Sequence, residues 1–130
     1  MKGIIFNVAE EVVTDLYGAD AWDSLLASAE LEGAYTSLGN YDDAEIAAII
    51  AAAAVLLDVG LDETWRIVGR HMLPLLAQRI PNIAGQYDDA EQFLLSVNDI
   101  IHPEVKLLYP DSIPPVFEFT DTDAGLLVRY

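Results

Sequence analysis

The amino-acid sequence predicts an α+β fold: a helical N-terminal part, a further long helix, and a short antiparallel sheet at the end. Three observations predict it. Apolar residues return at helical spacing over most of the chain. Glycines, prolines and capping acids punctuate that pattern where helices start and stop. After Tyr109-Pro110 the pattern turns extended and closes with two apolar runs around a turn. The length of 130 residues accommodates one domain. A net charge of −16 alone would suggest disorder, but 53% of the residues are hydrophobic and can form a core.

The elements follow in order. Ile5, Val8, Val12 and Leu16 define the apolar stripe of a first helix from Gly3 to Tyr17, which Gly18 stops. Asp20 is expected to cap a second helix carrying Trp22, Leu25 and Leu26. Residues 33–40 are rich in Gly, Ser, Thr and Asn and read as a loop. Asp42 opens an alanine-rich helix that ends near Val59-Gly60. Asp62 opens the next, through Trp65, Ile67, Val68 and Met72, with Pro74 expected to kink or restart it. Pro81 ends that segment. Asp88 starts a helix with Phe93, Leu94, Val97, Ile100 and Ile101 on its apolar side. Residues 113–119 approach a strand, 121–125 form a turn, and 126–130 form a second strand. The echo of Tyr41-Asp42-Asp43-Ala44-Glu45 in Tyr87-Asp88-Asp89-Ala90-Glu91 reads as two capped helix starts, with acids facing the positive end of the helix dipole.

Charge and composition remove several functions. Six Lys and Arg against 22 Asp and Glu leave little to neutralise phosphates, so nucleic acid and anionic membrane surfaces are excluded as partners. The absence of cysteine removes disulfides, thiolate metal sites and Cys nucleophiles. The first residues run quickly into acids and do not read as a signal peptide. The longest apolar run, residues 46–57, falls short of the roughly 20 that span a bilayer and reads as a buried core helix. These features suit a cytoplasmic protein.

Chemistry-bearing residues are few. There is no G-x-S-x-G, no H-E-x-x-H and no glycine-rich phosphate loop, so no positive case for an enzyme arises. Asp121 and Asp123 only faintly echo a calcium loop. His71 lies mid-helix and carries no special role. His102 stands at the edge of an apolar stripe formed by Leu94, Ile101 and Val105. Pro103 follows it and disfavours helical geometry there. On spacing alone His102 is a boundary histidine bonded to a neighbour. The sharper alternative is a single axial ligand presented to haem iron.

Several stretches together resemble the haem nitric oxide/oxygen binding family (H-NOX, HNOB). They are the opening Met-Lys-Gly-Ile-Ile-Phe-Asn, Tyr17-Gly18 with Trp22, and Trp65-Arg66-Ile67-Val68-Gly69-Arg70. The strongest is Ile101-His102-Pro103-Glu104-Val105-Lys106-Leu107-Leu108-Tyr109-Pro110, followed by Pro114-Pro115-Val116-Phe117. The resemblance covers the whole chain. It implies one H-NOX-like domain over 1–130, with a helical distal part over 1–60 and the proximal helix and start of the sheet over 61–130.

The resemblance also implies haem b (iron protoporphyrin IX) as cofactor, with His102 as the ligand to its iron and Pro115 pressing on the ring. Ile5 and Leu76 fall at distal-pocket positions, and Ile101 falls beside the proximal ligand. Tyr130 matches the tyrosine of the family's propionate-binding Tyr-x-Ser-x-Arg motif. The sequence stops there, so the expectation is a domain whose last strands are cut off. The implied function is sensing of a diatomic gas, with nitric oxide ahead of carbon monoxide and dioxygen. Gas binding would strain the iron–His102 bond, and a signalling protein partner would read the shift. A haem-free acidic interaction module on the same scaffold is the alternative. A small metallohydrolase using both histidines is a third reading, with no ligand spacing to support it.

Overall fold

The computed structural model describes residues 1–79 and 86–129. The expected stop at Pro81 and the expected propionate contact Tyr130 lie outside the described residues. The chain divides into two units, Met1–Arg79 and Ile80–Tyr130.

The first unit is helical. Helix α1, Gly3–Tyr17, has the limits its sequence predicts. Gly18 ends it at φ +90°, a conformation that costs a glycine least, and also stands at the N-cap of α2, Ala19–Ser28. Asp20 therefore falls in the first turn of α2 and does not cap it. Asp42 does cap α3, Asp43–Leu57, by accepting from the Ala44 N–H at 2.9 Å. Asp58 closes α3 in the left-handed region, where a short polar side chain is tolerated. Helix α4, Leu61–Arg79, starts one residue before the expected Asp62, and the Gly60 carbonyl accepts its first helical hydrogen bond from Thr64. Pro74 neither ends nor restarts α4. Its missing N–H strips the Arg70 carbonyl of a helical partner, but both residues are exposed and water can serve that oxygen.

These helices bury Phe6, Val8, Ala9 and Val12 from α1, Trp22, Leu25 and Leu26 from α2, Ile46, Ile49, Ile50 and Ala53 from α3, and Met72 from α4. The alanine-rich α3 is buried on one face only, leaving Val55 and Leu56 exposed. Phe6 stacks on Tyr35 at 4.0 Å between ring centroids, and Tyr41 meets both rings edge-on. The loop over 33–40 closes against the start of α1. The N–H of Gly3 donates to the Gly39 carbonyl, and that of Ile4 to the Ser37 carbonyl. Three ion pairs also lie within this unit: the N-terminal ammonium with Asp43, Arg66 with Glu63, and Arg79 with Glu11.

The second unit is α+β. Its first helix, α5 (Ala90–Ser96), is capped by Asp89 and not by the expected Asp88. The Asp89 side chain accepts from the Gln92 N–H at 2.9 Å. A π turn, Val97–Ile101, continues directly into α6, His102–Leu108. Strands β1 (Glu118–Thr122) and β2 (Gly125–Arg129) pair antiparallel, with Glu118 opposite Arg129 and Thr122 opposite Gly125. The turn is thus shorter than predicted, because Asp121, Thr122 and Gly125 join the ladder. Gly125 absorbs the tight reversal at φ +123°.

Among the described residues no single helix is long and apolar enough to cross a membrane. Helices α3 and α4 reach that composition only together, as a pair bent by 108°.

Candidate functional site

The site residues predicted in the second unit gather around the junction of the π turn and α6. A proline inside a helix lacks the N–H for its own bond and crowds the carbonyl four residues back, here that of Asp99. The ladder widens to π spacing over 97–101, ending two residues before Pro103. That accommodation lets His102 keep helical angles, φ −64° and ψ −40°, although a proline follows it. Helical geometry at His102 thus persists despite the proline. Ile100, placed by its spacing on the apolar side of this helix, is exposed, as is Leu95.

Val97 and Ile101 are buried, with Tyr87, Phe93, Val105 and Phe117 packed around them. His102 is half-buried at the rim of this cluster. Its ring centroid lies 5.7 Å from that of Phe117, with the planes tilted by 36°. Burial pushes the imidazole below its ordinary pKa, because the charged form loses hydration. Lys106 repels the same charge. A hydrogen bond to the Pro115 backbone, whose only polar group is its carbonyl, pulls the other way. The net result is a neutral ring at neutral pH. An uncharged imidazole has a nitrogen lone pair to offer.

Asn98 ties this junction to the segment leading into β1. Its side-chain Nδ2 donates to the Phe117 carbonyl at 2.7 Å, and its Oδ1 accepts from the Phe117 N–H at 3.0 Å. One amide thus satisfies both polar groups of a residue 19 positions away, as a neighbouring strand would. Sequence reasoning missed this role. Its only trace is an amide next to Asp99 among the apolar residues Val97, Ile100 and Ile101.

Ile5 and Leu76 lie in the first unit, on α1 and α4. Both are half-buried and pack against the same core. His102, Ile101 and Pro115 lie in the second unit, where Ile101 is buried and Pro115 is exposed. His71 is exposed on α4. Among the described residues no group of three His, Asp or Glu could hold a metal ion, which removes support for the metallohydrolase reading. A lone neutral imidazole among apolar neighbours cannot fill a metal's coordination sphere by itself. It does suit an iron whose other ligands come from a macrocycle, so the residues present fit a haem.

The chain thus combines a helical first unit with an α+β second unit that carries one half-buried histidine beside a buried apolar cluster. The sequence model of the Haem-NO-binding family matches residues 2–130, and the chain belongs to that family. Solved structures agree. The chain is similar to the H-NOX protein from S. oneidensis in its Fe(II)NO ligation state, with TM-score 0.86 and 27% identity over 98% of this chain and 72% of that one. It is similar to a mutant H-NOX protein from K. algicida in the unliganded Fe(II) state, with TM-score 0.82 and 32% identity over 95% and 68% of the two chains. The H-NOX from Shewanella woodyi in the Fe(II)CO ligation state follows, with TM-score 0.75, 33% identity, and coverage of 92% and 64%.

Proposed function

We propose that this chain is a haem-binding sensor domain for diatomic gases, with nitric oxide the preferred ligand, and that it signals through His102. The observation that carries this reading is the His102 imidazole, half-buried at the rim of an apolar cluster with its ring 5.7 Å from that of Phe117. A ligating histidine is usually oriented by the groups packed around it. When bound, haem b would supply an iron able to bind a diatomic gas.

The chain's own residues supply the rest. His102 holds the iron from one side, Ile101 and Phe117 keep water from that bond, and Pro115 presses on the ring. Ile5 and Leu76 are the proposed distal side chains. Neither can donate a hydrogen bond, so dioxygen gains little, while nitric oxide and carbon monoxide lose little. His102 opens α6, so a displacement of the ligand moves that helix directly. A signalling protein that reads this displacement completes the proposal, and the role is sensing rather than catalysis.

The test is reconstitution of the chain with ferrous haem. A Soret band that moves on adding nitric oxide is expected, and His102→Ala is expected to lose haem while keeping its far-ultraviolet dichroism. Haem retained in His102→Ala with an unchanged spectrum would remove His102 from the ligand role. A cooperatively melting chain that takes up no haem would leave the haem-free interaction module in its place.

A further inference from the structure

The most unusual side chain in the second unit is one the proposed function does not use. Asn98 sits inside the π turn, half-buried, and spends its whole side-chain amide on Phe117. Asparagine is a poor helix former because its side chain competes for backbone groups. Here the competition is won by backbone in a separate, extended segment. The Phe117 ring lies 5.7 Å from the His102 ring, and the backbone of Pro115, two residues earlier, acts on the charge of the same imidazole. The segment therefore meets His102 at Phe117, with Pro115 beside it. Asn98, four residues before His102, holds that segment on the helix.

We propose that Asn98 is a positioning residue: by clamping Phe117 it fixes the Pro115–Phe117 segment against His102 and so sets the orientation of the imidazole. The consequence for an iron ligand rests on the haem reading above; the clamp itself does not. With Asn98 removed, Phe117 loses its fixed place beside the ring, and the imidazole can rotate about its side-chain bonds. A histidine free to rotate would hold a metal less well, because its orientation is no longer set by its surroundings.

The experiment compares the full chain with Asn98→Ala and Asn98→Asp, first without haem. Asn98→Ala is expected to lower the exchange protection of the Phe117 N–H by about tenfold and to move the His102 ring resonances, which feel the Phe117 ring current. Asn98→Asp keeps an oxygen for the Phe117 N–H but sets a carboxylate against the Phe117 carbonyl. It is expected to retain part of the N–H protection and still move the His102 resonances. In the ferrous haem-loaded chain, the iron–histidine stretching band is expected to shift in both variants. Lowered melting temperatures with His102 resonances and the iron–histidine band unmoved would overturn the proposal, leaving Asn98 a staple only. Wild-type chain that binds no haem, with the haem-free signatures as expected, would sink the haem reading and leave the clamp standing. If Asn98→Ala does not fold, Asn98→Asp decides by the same resonances.

Discussion

Replacing Gly3 with alanine tests how the N-terminal helix is seated on its loop. An alanine Cβ at residue 3 would stand 2.0 Å from the Thr36 carbonyl oxygen and 2.8 Å from both the Thr36 carbonyl carbon and a Tyr41 ring carbon. Two of these atoms are backbone, so no change of rotamer relieves the clash. The loop must move, and it carries the Gly39 and Ser37 carbonyls that accept from Gly3 and Ile4 at 3.0 and 3.2 Å. Overpacking costs roughly 1–3 kcal/mol and each weakened hydrogen bond about 1 kcal/mol, while alanine's helix preference returns at most about 1 kcal/mol. The expected net loss is about 3 kcal/mol, or a fall in melting temperature of about 10 °C. Urea unfolding followed by the fluorescence of the buried Trp22 reads it. Gly69→Ala is the control, since nothing lies within 4 Å of its added Cβ on α4. That variant is expected to be neutral or more stable by up to about 1 kcal/mol. The reasoning fails if Gly3→Ala unfolds at the wild-type midpoint, or if both variants shift alike.

Further outcomes follow from single side chains. Desolvation, with help from its hydrogen bond to Glu45 and the charge there, pushes the Tyr35 phenol up to about 12 from 10.0. The protonated phenol is thus favoured by folding, so its contribution is full below pH 10.0 and is lost as pH rises towards about 12. Phenolate absorbance should show one late-titrating tyrosine, and Tyr35→Phe should remove that alkaline loss. Asp89→Ala should cost about 1 kcal/mol through the lost cap of α5, whereas Asp88→Ala should stay within about 0.5 kcal/mol, as urea midpoints will show. Ile49, 1% exposed, should cost about 3 kcal/mol when cut to alanine, read by thermal melting.

Local signals proved readable where one physical cause acted alone. The limits of α1 follow from an apolar stripe, a glycine stop and nothing in competition. The caps of α2 and α4 were misread because an acid in a helix's first turn looks in sequence like an acid at its cap; both stabilise the same dipole. At α5 two adjacent acids competed, and only geometry decided for Asp89. The π turn could not be read, because its cause, a proline two residues beyond it, also fits a helix break. His102 and its neighbours Ile101, Phe117 and Pro115 were legible as a group only through family resemblance. Asn98 was illegible because its partner is a backbone 19 residues away, and a backbone carries no letter in the sequence.

The ion pairs have a consequence for ionic strength. Arg66, Arg79 and Arg129 each face one glutamate, so three of only six Lys and Arg are already matched to neighbours. The remaining excess of carboxylates repels itself across the surface at the distances that salt screens best, about 10 Å at 0.1 M. Added salt weakens those few attractive pairs a little and the many repulsions far more. Moderate sodium chloride should therefore raise this chain's stability, and dilution into pure buffer should be the harsher treatment.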